Sequence, residues 1–152
     1  MRVSSDYRDL FKILNRYRVK YLVVGAYAVA YYTEPRFTKD LDIWVKPDMK
    51  NAQKVYQALK KFGAPLKNIS VQDFTNKKLI YQIGVAPVRV DIIMGIPGIS
   101  FDRAWLNREK SKYAGISINI IGKKELIKSK RRFKREQDIL DLKKLIASNK
   151  EE

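Results

Sequence analysis

The sequence contains no cysteine and no histidine. Their absence removes disulfides, thiol nucleophiles, zinc sites of the Cys/His kind, Ser-His-Asp triads and imidazole general bases. Acids are scarce too: 16 Asp+Glu stand against 32 Lys+Arg, a formal net charge of +16. The 7 glycines and 5 prolines form no linker-like or low-complexity stretch, and no internal repeat is visible. No apolar run reaches the roughly 20 residues a bilayer helix needs; the longest uncharged stretch is residues 21–33. No apolar leader follows Arg2, so a cytoplasmic protein with no membrane segment is expected. Any catalysis must then rest on carboxylates, Lys/Arg, hydroxyls, backbone amides and an oxygen-seeking metal ion.

What is present describes a folded domain. With 45% hydrophobic and 32% charged residues in 152, the chain can bury one proper core. We expect a single domain over residues 1–147, with a catalytic core at about 18–122, C-terminal helices at about 123–147 and a frayed tail at 148–152. Tyr7, Leu10, Phe11 and Leu14 recur at i, i+3, i+4, i+7, which predicts a first helix capped by Ser4 or Ser5 and ending near Arg16. A buried strand over residues 21–25 then ends at Gly25 and leads into an alanine-rich helix over 26–32. Strand, glycine, helix is a geometry that aims backbone N–H groups at an anion. A second strand covers 41–45. A third helix is capped by Asp48, carries a stripe of Ala52, Val55, Tyr56 and Leu59, and ends at Gly63 and Pro65. Strands are expected over 79–83 and 88–93 as a hairpin and over 116–121, with a helix, whole or in two pieces, over 123–146. The order predicts an α/β or α+β fold with a mixed sheet flanked by helices.

The chemistry concentrates in three acids. Asp40 and Asp42 stand at i, i+2 on a strand, so both side chains leave one face, with Trp44 next along it. Like charges held that close call for a cation between them, and Mg²⁺ or Mn²⁺ suits oxygen donors. Asp91 lies in the otherwise apolar strand Val88-Arg-Val-Asp-Ile-Ile93, on one face with Arg89 and Ile93. If that strand neighbours residues 41–45, a three-carboxylate cluster results. Such a cluster with two metal ions is what in-line nucleotidyl transfer uses. Trp44 could stack a base or pack at the sheet edge. Residues 123–135 hold eight basic residues and one acid, a net +7, readable as a solvated face or as an anion-binding surface.

The segment from Gly25 to Val45, with Arg36-Phe-Thr-Lys-Asp-Leu-Asp42 at its centre, resembles the first motif of the DNA polymerase beta-like nucleotidyltransferase superfamily. The likeness is to small stand-alone members whose signature reads hydrophobic-Gly-Gly, helix, Arg-x-Thr-x-Asp-hydrophobic-Asp. Leu126-Ile-Lys-Ser-Lys130, then Arg135, then Asp138-Ile-Leu-Asp141-Leu142 resembles the family's C-terminal helical motif. The resemblance covers about residues 21–142 and implies a nucleotidyltransferase-like fold. It also implies that Asp40, Asp42 and Asp91 are the catalytic, metal-binding acids. Gly25, Ala26, Arg36, Thr38, Lys130 and Arg135 fall on its nucleotide-binding positions. Two departures stand out. Ala26 replaces the family's second glycine or serine, leaving only a backbone N–H there, and Lys134-Arg-Glu-Gln137 replaces its glycine- or proline-containing turn. Thr38 also reads simply as a loop residue bonding the local backbone. Asp138 and Asp141 read preferentially as partners of Arg135 or Lys144 rather than as metal ligands.

The expected activity is Mg²⁺- or Mn²⁺-dependent transfer of NMP from a nucleoside triphosphate such as ATP to a hydroxyl of a nucleic-acid, protein or antibiotic acceptor. The alternative from a different class is a non-catalytic nucleic-acid-binding or regulatory module on the same fold, motivated by the +16 charge. A DxD glycosyltransferase shares the metal logic but needs room for an acceptor subdomain. The sequence bears no signature of oligomeric state.

Overall fold

The computed structural model describes residues 5–34, 40–85, 88–132 and 136–148. Helix α1 (Ser5–Arg16) buries the stripe its spacing predicts: Tyr7, Leu10, Phe11 and Leu14 all lie in the core. Strand β1 (Tyr21–Val24) is buried along its whole length, and helix α2 (Gly25–Tyr32) leaves it with no intervening loop. Strand β2 (Asp40–Val45) carries the acid pair. Helix α3 (Met49–Phe62) begins at Asp48, whose side chain accepts from the Asn51 N–H at 2.7 Å. It ends at Gly63, where φ of +95° gives the left-handed turn that glycine adopts without a Cβ penalty. Buried Asn51 bonds the Lys20 backbone at both its N–H and carbonyl, and also the Lys46 carbonyl. One side chain thereby pins α3 to the entry of β1 and the exit of β2.

Strands β3 (Ile80–Val85) and β4 (Val88–Ile93) pair antiparallel as the expected hairpin. Two elements follow that the sequence reading left as loop: the short helix α4 (Phe101–Leu106), capped by Ser100, and strand β5 (Glu109–Tyr113). Glu109, Lys110, Ser111 and Lys112 carry no apolar alternation. Their strand exists because the turn at Ala114 (φ +49°) and Gly115 (φ +84°) folds it onto β6 (Ile116–Ile120). At the sheet edge its lysines also discourage pairing with another chain. Helices α5 (Lys123–Arg132) and α6 (Glu136–Ala147) complete the chain, so the expected C-terminal helix is two pieces packed on each other.

The six strands form one mixed sheet in the order β3-β4-β2-β1-β6-β5. β2 runs parallel to β4 and antiparallel to β1, and β1 runs parallel to β6. Helices α1 and α3 pack on each other, and α2 packs with α5 and α6, so the sheet is flanked by helices as expected. Leu22, Val23, Ile43, Val45, Val55, Leu59 and Ile92 fill the core between them. Each such fully buried aliphatic side chain contributes about 1.5–3 kcal/mol relative to exposure. At the C-terminal end of the described residues the Ser148 hydroxyl donates to the Tyr32 carbonyl, and its own carbonyl accepts from Lys123 Nζ at 2.9 Å. Residues 149–152 lie outside the described residues.

Candidate active site

Register decides where the acids meet. In the parallel β2–β4 pair, Asp42 is the cross-strand partner of Asp91, and Asp40 is the partner of Arg89. Partners in adjacent strands share a face and lie about 4.8 Å apart in the hydrogen-bonding direction. Asp40, Asp42 and Asp91 therefore gather on one patch of the sheet, with Arg89 as its fourth corner. Asp91 is the better buried of the two acids beside Arg89, with 16% of its side chain exposed against 37% for Asp40.

Asp42 is also pressed against the start of α2. Gly25 has φ of +68°, and a Cβ placed there would stand 2.1 Å from Asp42 Oδ2. Only glycine allows the carboxylate that close to the helix N-terminus, where no side chain caps α2. The uncapped N–H groups of the first turn, including that of Ala26, are thus left next to the acid patch, at the positive end of the helix dipole.

The electrostatics match this crowding. The Asp42 carboxyl is pushed from its ordinary 3.8 up to about 6, first by burial, then by the charges of Asp91 and Asp40. Lys130 and Arg89 act in the opposite direction on it. Arg89 grips Asp91 with both branches of its guanidinium, Nε to Oδ1 at 3.2 Å and Nη2 to Oδ2 at 3.3 Å. Its Nε also lies 3.9 Å from Asp40 Oδ1. The Tyr7 hydroxyl donates to the Arg89 carbonyl at 3.1 Å, placing a phenol beside the cluster. Burial above all raises that phenol's pKa, with Asp40 and Asp42 among the lesser causes.

Lys130, near the end of α5, forms an ion pair with Asp141 of α6 at 3.4 Å. Asp141 is only 1% exposed. Of the partners expected for Asp141, Lys144 is engaged elsewhere and Arg135 lies outside the described residues. The α5–α6 packing brings Lys130 to it across the hairpin, while Lys144 pairs with Glu34 at 3.4 Å. Of the predicted nucleotide-binding positions, Gly25 lies against Asp42 with Ala26 next along α2, and the charge of Lys130 acts on Asp42. Arg36, Thr38 and Arg135 lie outside the described residues, as does the side chain of Asp138. Trp44 follows Asp42 on the same face but is 1% exposed and packs edge-on against Phe101, ring centres 5.0 Å apart, so base stacking is ruled out in favour of packing. A cavity of about 600 Å³ is lined by Trp44, Met94, Ile96, Phe101 and Lys46, and none of the three acids borders it.

The donors are carboxylates only, the set that suits a hard divalent cation in kind. Burial is the first cause that pushes Asp42 up to about 6, and the second, the charges of Asp91 and Asp40, is charge that such a cation would neutralise. As they stand, however, no three acids among the described residues are drawn around a common point as a ready cage. Sequence reasoning placed Arg89 on the acid face without assigning it a role, and read Tyr7 only as part of a core stripe. The i, i+2 spacing of Arg89 and Asp91 was the available signal for the former.

Comparison with known families and structures bears on this arrangement. Residues 3–152 match the family described as nucleotidyl transferase of unknown function (DUF2204). The chain belongs to this family. No curated protein matches the sequence. Among solved structures, the lincosamide antibiotic adenylyltransferase LnuA, lincomycin-bound, superposes with a TM-score of 0.53 at 18% identity, covering 97% of this chain and 99% of that one. A putative nucleotidyltransferase from Thermotoga maritima gives a TM-score of 0.60 at 13% identity, with 95% of each chain covered. The antibiotic-resistance factor ANT(2'')-Ia gives 0.61 at 7% identity, covering 93% of this chain and 80% of that one. At such identities the likeness is one of fold. The nucleotidyltransferase-like fold that the sequence resemblance implies is thus the fold these superpositions share. No described helix is long and apolar enough to cross a membrane.

Proposed function

We propose that this nucleotidyltransferase-family chain transfers a nucleoside monophosphate from a nucleoside triphosphate to an acceptor hydroxyl at the Asp40–Asp42–Asp91 patch. The observation that carries the reading is the register of β2 and β4, which sets Asp42 opposite Asp91 and beside the Gly25 turn. The triphosphate would lie over the first turn of α2, its charge met by backbone N–H groups and by the ammonium of Lys130. Asp141 holds that ammonium from behind. Asp40, Asp42 and Asp91 would hold Mg²⁺ or Mn²⁺. Bound there, the ion supplies neutralisation of the triphosphate and of the charge that develops on the departing pyrophosphate.

In the reaction the acceptor oxygen forms a bond to the α-phosphorus while the bond from that phosphorus to the bridging α–β oxygen breaks. Pyrophosphate leaves, and Asp91 takes the hydroxyl proton. The excess of +16 favours an acceptor that is itself anionic, such as a nucleic-acid end, over a neutral small molecule. The test is label transfer from α-³²P-NTPs to RNA or protein in the presence of Mg²⁺. The α-label should be incorporated while γ-label is not, and Asp42→Asn should abolish incorporation. Equal incorporation by that variant would refute the assignment.

A second reading keeps the fold without turnover, as a nucleic-acid-binding module. Exposed Lys110 and Lys112 on β5 and Lys124 and Lys128 on α5 favour it. It requires binding that falls steeply with salt, ignores Mg²⁺ and survives loss of Asp40 and Asp42.

A further inference from the structure

The three acids stand beside a cation of the chain's own. Arg89 occupies both Asp91 oxygens with its fork and reaches toward Asp40, its register partner across the β2–β4 ladder. A carboxylate held by a guanidinium at both oxygens has about half of its lone-pair sites taken and its charge already countered, so another cation must compete for it. The fork stands in a patch whose acids, among the described residues, form no ready three-acid cage. We infer that Arg89 is the resident counter-cation of the acid patch, and that a divalent ion binds there by displacing its guanidinium from Asp91. The inference rests on the metal-dependent reading above and adds a residue that sets how tightly, and with what rearrangement, the ion is held.

The surroundings allow the exchange at small structural expense. The Arg89 backbone is fixed on three sides: by Asp40 on β2, by Gly84 on β3 and by the Tyr7 hydroxyl on its carbonyl. Its side chain by contrast is 35% exposed, so the guanidinium can rotate outward without opening a cavity or moving a strand. Asp91, 16% exposed, stays where it is and changes only its partner. The freed guanidinium remains next to the patch, where an anionic nucleotide would find it. Arg89 is therefore a positioning residue: it holds Asp91 in place while the patch holds no metal, and withdraws when the ion arrives.

Metal binding without nucleotide separates this from a merely structural ion pair. Mn²⁺ affinity would be measured by electron paramagnetic resonance of the free ion for the unmodified chain, Arg89→Gln and Arg89→Lys. Removing the competitor should tighten Mn²⁺ binding by about three- to tenfold in Arg89→Gln, the size expected for losing a partly exposed charge-assisted fork. Arg89→Lys, a point charge without the fork, should fall between. Equal or weaker binding by a folded Arg89→Gln overturns the inference while leaving the metal-dependent reading intact. No Mn²⁺ binding by either protein overturns both. As a check independent of any variant, ¹⁵N-arginine labelling should show a slowly exchanging Arg89 Nε–H that loses protection as diamagnetic Mg²⁺ is added. A resonance indifferent to saturating Mg²⁺ also overturns the displacement.

Discussion

Asp42→Asn should make the metal-free protein more stable, by an amount that grows from about pH 4 and reaches its full size above about pH 6. In the folded chain this carboxyl titrates near pH 6 instead of 3.8, with burial as the main cause. The folded state therefore keeps its proton over a range where the unfolded state has already lost it. The sign follows: stability falls as pH rises from about 4 to 6, and the full penalty persists above that window. At 1.36 kcal/mol per pH unit the difference comes to about 3 kcal/mol at pH 8, against about 1 kcal/mol at pH 4.5. Asparagine fills nearly the same volume and carries no charge, so the variant escapes the penalty. For a domain of this size each kcal/mol corresponds to about 2–4 °C, giving a gain of about 6–12 °C at pH 8 in EDTA as an upper bound. Thermal unfolding followed by circular dichroism at both pH values is the assay. Saturating Mg²⁺ should reverse the ranking, because an ion that binds only the folded, ionised patch stabilises the unmodified chain. No gain at pH 8, or an equal gain at both pH values, would refute the crowded-carboxylate account.

Gly25→Ala combines a left-handed φ with a Cβ driven into Asp42 Oδ2, and should lower stability by about 2–3 kcal/mol in chemical denaturation while weakening nucleotide binding. Asp141→Asn leaves Lys130 without its nearly buried partner, which should lower stability by about 3 kcal/mol in urea unfolding and weaken NTP binding measured by calorimetry. Trp44→Ala removes one of the largest fully buried side chains and should lower stability by about 3–5 kcal/mol. Because Trp44 packs rather than stacks a base, Trp44→Phe should retain NTP affinity within about twofold in the same calorimetric titration, a change below about 0.4 kcal/mol.

Much of the fold was legible because local signals agreed with the global arrangement. The α1 stripe, the Asp48 cap, the Gly63 stop and the Gly25 turn each fixed an element, and the acid spacing put Asp40 and Asp42 on one face. The neighbourhood of Asp91 could be stated only as a condition, since strand order depends on which apolar runs pair at long range. Strand β5 was invisible for a related reason: its residues are charged, and it is held by β6 rather than by its own pattern. The Asp141–Lys130 pair escaped helical-spacing arguments because its members sit on two helices that fold together. Trp44 showed the limit of face arguments. A residue can leave the acid face and still be covered, here by Phe101 of α4.

Calorimetric titration of a non-hydrolysable NTP tests the account at its centre, done with the unmodified chain and with Asp42→Asn, each in EDTA and in Mg²⁺. The account predicts tight binding only for the unmodified chain in Mg²⁺, and weak binding in the other three combinations. Binding of equal strength in all four would contradict it.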